Sequence, residues 1–152
     1  YSGALWMDDR RCYWMNPNSS AVQGFLSSIA IELSDLGFDE VVFDDFYFPD
    51  SEAIAWNGSV SKEDAVLNAA KSITDNMQGV NIHVSFGSSA PAMAAYAYRL
   101  YIRTDDPTQV MTVMDFMQEV MTDIPAQVVF VTSSRDTRFA QCSVLLPLLA
   151  EE

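Results

Sequence analysis

Two acidic residues, Asp44 and Asp45, close the short apolar run Glu40-Val41-Val42-Phe43. Farther along, Asp105 and Asp106 follow Arg103, Asp136 follows a second apolar run through Ser133 and Ser134, and His83 is the chain's single histidine. Paired carboxyl groups can divide the work of hydrolysis, one donating a proton while the other attacks or activates water. Whether they can do so depends on which side chains share a face. Strand alternation groups Asp44 with Val42 and Phe46, and groups Asp45 with Val41 and Phe43. It likewise groups Asn81, His83 and Ser85, and groups Tyr101, Arg103 and Asp105. If these polar faces all point the same way, Asp44, His83, Ser85, Arg103 and Asp105 converge.

The elements that must hold these residues are legible in the periodicity. Asn16 as cap, Pro17 in the first turn, and Val22, Phe25, Leu26, Ile29 and Leu33 at helical spacing predict a helix from Asn16 to Leu36. Glu40 to Asp44 reads as a buried strand. The stretch from Asp45 to Val60, with Pro49, Asn57 and Gly58, reads as a long loop. Ser61 with Asp64 three residues on resembles a capping box, and the helix it starts stops at Gly79. Val80 to Phe86 alternates apolar and polar residues as a two-faced strand does. Pro91 to Tyr98 is expected as a short helix, Arg99 to Arg103 as a strand, Pro107 to Met121 as a helix, Gln127 to Thr132 as a strand and Thr137 to Leu149 as a last helix. A weak strand at Ala4 to Met7 precedes them all. Met111, Met114, Met117 and Met121 fall on one helical stripe and read as core.

Alternation of this kind specifies an α/β fold built of parallel βα units. Two architectures satisfy it: a partial or truncated (β/α)8 barrel of the TIM type, and an open doubly wound sheet. A full barrel needs about 250 residues, and the chain has 152. The barrel reading therefore makes it a single α/β domain forming about half of a barrel. Such a segment is expected either to be cut from a longer protein or to self-associate, because an incomplete barrel exposes strand edges.

Composition removes several functional classes. With 21 acidic against 8 basic residues the formal charge is -13, so a polyphosphate backbone is repelled and nucleic acid is not a partner. No apolar run is long enough for a membrane span. Cys12 and Cys142 show no metal-ligand spacing, and no Gly-rich phosphate loop occurs, so neither a metal nor a cofactor is expected. A phosphotransfer receiver would need a late-strand lysine beside its acidic pair, whereas Lys62 and Lys71 are the only lysines and both sit in one predicted helix. The compartment stays open, the extracellular space and the cell envelope included.

One stretch carries a family likeness. Gly37 to Pro49 (GFDEVVFDDFYFP), preceded by Tyr13-Trp14-Met15-Asn16-Pro17 (YWMNP), resembles the signature strand and upstream segment of a family of glycoside hydrolases with TIM-barrel folds. The family usually has a basic residue where Tyr47 stands. A more distant similarity, to the DxxDxDxE strand of chitinase-type barrels, stops at Phe46, which occupies the position of the required Glu. The family resemblance implies an enzyme acting on an oligo- or polysaccharide, with Asp44 as nucleophile or base. Asp105 is then the candidate second carboxylate, with Asp106 and Asp136 behind it. His83 and Arg103 are candidate substrate contacts, and Tyr47 and Trp56, in the long loop, are candidates to stack on sugar rings. Each has a plainer reading: Asp105 or Asp106 as a helix cap before Pro107, His83 as an interior strand residue, the aromatics as core. The competing function is a non-catalytic carbohydrate-binding or scaffold segment of a barrel.

Overall fold

The computed structural model of the chain describes residues 6–106, 108–118, 121–140 and 142–146. Those within 1–39 and 47–82 form one compact unit, and those within 40–46 and from 83 onwards form another.

The first unit contains a small antiparallel pair, β1 (Trp6–Met7) and β2 (Tyr13–Trp14), and two helices, α1 (Ser20–Asp35) and α2 (Lys62–Asp75). β2 was not expected, and it forms because Asp8 organises the turn. Its Oδ1 accepts from the backbone of Arg10 and Cys12, and its Oδ2 from the Trp14 indole N–H. These bonds, the Trp14 one foremost, hold the Asp8 carboxyl below its usual range.

α1 starts later than predicted. Ser19, not Asn16, is the N-cap, with extended dihedrals and its hydroxyl accepting from Val22 N–H. Asn16 instead accepts from the backbone of Asn18, a local turn that competes with helix. α2 begins as expected, Ser61 Oγ accepting from Asp64 N–H, with Glu63 and Asp64 in the first turn where the helix dipole favours negative charge. Within this unit the helices meet at small residues: Ser27 and Ala30 are buried on α1, and Asn76, just past α2, donates to Ser27.

The second unit is a five-stranded, all-parallel sheet of β3 (Glu40–Phe43), β4 (His83–Gly87), β5 (Leu100–Arg103), β6 (Val128–Val131) and β7 (Ser143–Leu145). Its spatial order is its chain order. Helix α3 (Thr108–Met117), the single turn α4 (Ile124–Gln127), and 3-10 turns at Pro91–Ala95 and Thr137–Phe139 complete the unit. The expected α/β class with a parallel sheet is therefore present. Nowhere among these five strands does the order reverse, and such a reversal defines a doubly wound sheet.

Several boundaries differ from the sequence reading. β4 begins at His83 rather than Val80, because Val80 N–H still bonds Met77 O at the end of the helical turn. The last predicted helix is absent among the described residues. Asp136 caps only a 3-10 turn at Thr137–Phe139, and Ser143–Leu145 then pairs with Val129 to Val131 as β7. Sheet pairing outweighs the helical propensity of that segment. Residues 1–5, 107, 119–120, 141 and 147–152 lie outside the described residues, and with them parts of the predicted first strand, the Met121 helix and the Pro147 end.

The faces of the sheet differ sharply. One carries Val41, Val84, Phe86, Leu100, Ile102, Val128 and Phe130, all buried. The other carries Glu40, Asp44, Ser85, Tyr101 and Arg103, with Val129 and Val131 extending it across β6. Met93, Met117, Met121 and Phe139 are buried as well, the last with its ring tilted against that of Phe130 at a centroid distance of 5.6 Å.

The cap on α2 is open to direct measurement. Ser61→Ala should lower stability by about 1 kcal/mol, read as a shift in the urea midpoint at constant m-value.

Candidate active site

The C-terminal rim of the parallel sheet is where open and closed α/β folds keep their reactive groups. Register brings Phe43 level with Phe86, so Asp44, the next residue, comes level with Gly87, which in turn pairs with Tyr101. A Cβ at Gly87 would stand 3.0 Å from Asp44 Cα and 3.1 Å from its Cγ, inside normal contact. Glycine is required there by space. Beyond Asp44 the chain turns abruptly: Asp45 has φ of 51°, in the left-handed region that Asp tolerates better than most residues. Phe46 N–H then bonds Gly87 O at 2.8 Å, and its ring lies 4.6 Å from that of Phe86.

This turn fixes the Asp44 carboxylate. Oδ1 accepts from the Asp45 backbone N–H at 2.9 Å and Oδ2 from Arg103 at 2.5 Å. Both side chains are more than half exposed, 54% for Asp44 and 62% for Arg103, so the pair contributes little to stability and serves mainly to orient. The structure thus joins two of the residues singled out from sequence.

Asp105 lies on the same rim but in a different partnership. Its Oδ1 accepts from Ser133 N–H at 2.6 Å and from Ser133 Oγ at 2.8 Å, tying the β5 and β6 loops together. The backbone bond first, then the hydroxyl, holds the Asp105 carboxyl below its usual range, favouring the charged form. Asp106 accepts from the Thr108 hydroxyl and backbone N–H at the start of α3, the capping role foreseen for one of the two. Asp136 is bound to Arg138 through side chain and backbone and is lowered to about 2.

His83 is not drawn to the rim. It opens β4, four residues before Gly87 and so about 13 Å away along the strand, and it stacks on Tyr98 at 3.8 Å. Tyr47 and Trp56 belong to the other unit. There Tyr47 leans on Trp14 at 5.2 Å, and Trp56 meets Trp6 and Phe48 edge-on at 5.9 and 5.1 Å.

Sequence reasoning missed Glu40, although its parity with Asp44 was visible. Glu40 lies on the same face and gathers Ser85 Oγ at 2.5 Å, Arg99 at 2.8 Å and the Tyr101 hydroxyl at 3.2 Å. Burial, and then the Glu40 charge, push the Tyr101 phenol above its ordinary value. Nothing in the sequence marked Gly87, since close approach between strands leaves no mark in a single sequence. Among the described residues no group of three or more His, Cys, Asp or Glu is arranged to hold a metal ion.

A parallel sheet whose polar face ends in an oriented carboxylate and a neighbouring arginine defines an α/β protein. The chain belongs to the family described as "Putative glycosyl hydrolase domain", whose sequence model matches residues 1–135. No curated protein and no solved structure matches it.

Two substitutions check this geometry. Gly87→Ala should cost about 1 to 3 kcal/mol as the new methyl pushes against Asp44, measured by denaturation. Ser133→Ala removes one of two donors that favour ionised Asp105. Its pKa should therefore rise part of the way towards the ordinary 3.8, as followed by carboxyl carbon NMR.

Proposed function

We propose that the chain is a glycoside hydrolase domain acting on an oligo- or polysaccharide, with Asp44 as nucleophile or base. The observation that carries this reading is the Asp44 carboxylate itself, at the C-terminal end of a parallel strand with both oxygens held by Asp45 N–H and Arg103. Glycoside hydrolysis needs a carboxylate aimed at the sugar carbon or at a water, and a partner that protonates the leaving oxygen. Arg103 orients Asp44 and can contact sugar hydroxyls from the same strand face. Asp105 is the candidate partner. Its bonds to Ser133 would have to give way as a sugar excludes water from the rim, since desolvation favours a protonated carboxyl.

The sheet is read here as a segment of a TIM-type barrel. Sequential strand order without reversal supports that, as does a polar face opposite a fully apolar one. β3 and β7 are the edge strands, and the barrel reading has them continue into further strands of a longer chain or into a second copy.

One observation favours a second reading. Asp105 is held in its charged form by Ser133, the opposite of what a resting proton donor needs, and a carbohydrate-binding segment without turnover would need no donor.

Asp44→Asn separates the two. It keeps the acceptor for Asp45 N–H and removes the charge, so release of reducing sugar should fall about 10³-fold or more with the thermal midpoint nearly unchanged. Unaltered turnover in this variant would remove Asp44 from the mechanism, and sugar binding by a wild-type chain that releases no reducing end from any glycan would establish the binding-only reading.

A further inference from the structure

One cavity in the first unit is not used by the hydrolytic reading. It measures about 490 Å³, within the range of small-molecule sites. Its walls come from Trp6 on β1, from Asn16, Asn18 and Ser20 before and at the start of α1, and from Trp56 and Asn57 of the long loop. In a chain of formal charge -13, none of the residues lining it is charged. A second cavity in the same unit, of about 210 Å³, has charged residues in its wall, Asp8, Asp9, Arg10 and Asp50 among them.

We propose that this cavity is a binding site for a neutral saccharide unit. The lining chemistry selects the class. An uncharged wall offers an ionic ligand no counter-charge, and desolvating that ligand would go uncompensated. Asn side chains each present donors and an acceptor, matching sugar hydroxyls, which do both. Indole surfaces suit the C–H faces of a pyranose ring.

Local structure keeps the tryptophans in position. Trp56 Nε1 donates to Val60 O at 2.8 Å, and its ring lies so close over Gly58 that a side chain there would collide with it. Trp6 meets Trp56 at a ring angle of 82° and Phe48 at 48°. The apolar part of the wall is thus a braced aromatic cluster, and the polar part is a set of asparagines. Asn18 and Asn57 are exposed, and neither side chain makes a hydrogen bond among the described residues, so both amides are available to a ligand.

The inference rests on the carbohydrate reading of the family and is independent of the role given to Asp44. The test uses the full chain carrying Asp44→Asn, so that no probe is consumed. Binding of maltose, cellobiose and diacetylchitobiose is measured by calorimetry and tryptophan fluorescence, with digalacturonic acid and adenosine as controls. At least one neutral disaccharide should bind, and Asn18→Ala and Asn57→Ala should each weaken it threefold or more with unchanged melting. The proposal is overturned if none of the three binds, if both variants change the affinity less than threefold, or if digalacturonic acid or adenosine binds more tightly. Reducing-sugar release by the wild-type chain is assayed separately. Turnover without cavity binding would count against the cavity alone, and cavity binding without turnover would count against the hydrolase alone.

Discussion

The absence of a side chain at Gly87 governs the rim of the sheet. A methyl group there would fall on the Asp44 backbone and carboxyl, so Asp44 occupies the space a β4 side chain would otherwise fill. Everything around it follows from that approach. Asp45 takes a left-handed conformation to carry the chain over the strand end, and Phe46 closes the turn on Gly87 O and on the Phe86 ring. Asp44 then accepts from the next backbone amide and meets Arg103. A carboxylate restrained on both oxygens loses little further freedom when it meets a reacting group, which is the main advantage of preorganisation.

Lower on the same face, Glu40 binds Ser85, Arg99 and Tyr101. Its ion pair with Arg99 is less exposed than that of Asp44, at 18% for Glu40 and 36% for Arg99. Such pairs add little net stability, because desolvation offsets their attraction, yet breaking one leaves a charge without its partner. The network spans three neighbouring strands, and slipping any of them by one residue would turn its polar side chains into the apolar face. Among the described residues no buried side-chain nitrogen or oxygen lacks a hydrogen bond.

Much of this was legible in the sequence where one local signal sufficed. The Ser61 cap appeared where expected, the alternation in Val80 to Phe86 identified β4 despite its late start, and parity separated Asp44 from Asp45. What was not legible depended on partners distant in sequence. Ser143–Leu145 is a strand because β6 offers it an edge, Ser133 acquires meaning only across from Asp105, and Gly87 only beneath Asp44. At α1 two local signals competed, and Ser19 capped the helix because Asn16 was already engaged with Asn18. The family likeness pointed to carbohydrate chemistry before any geometry was known, and membership of the family over residues 1–135 agrees with it.

The stacking of His83 on Tyr98 has a practical side. The rings lie 3.8 Å apart and 10° from parallel, and the chain holds only one histidine. Its imidazole protons should therefore give a single, well-separated pair of signals displaced by the ring current of Tyr98. Because His83 opens the strand that Gly87 closes, those signals report on the end of the sheet remote from Asp44. They form a built-in spectroscopic gauge of whether a disturbance at the rim travels down the sheet or stays where it is made.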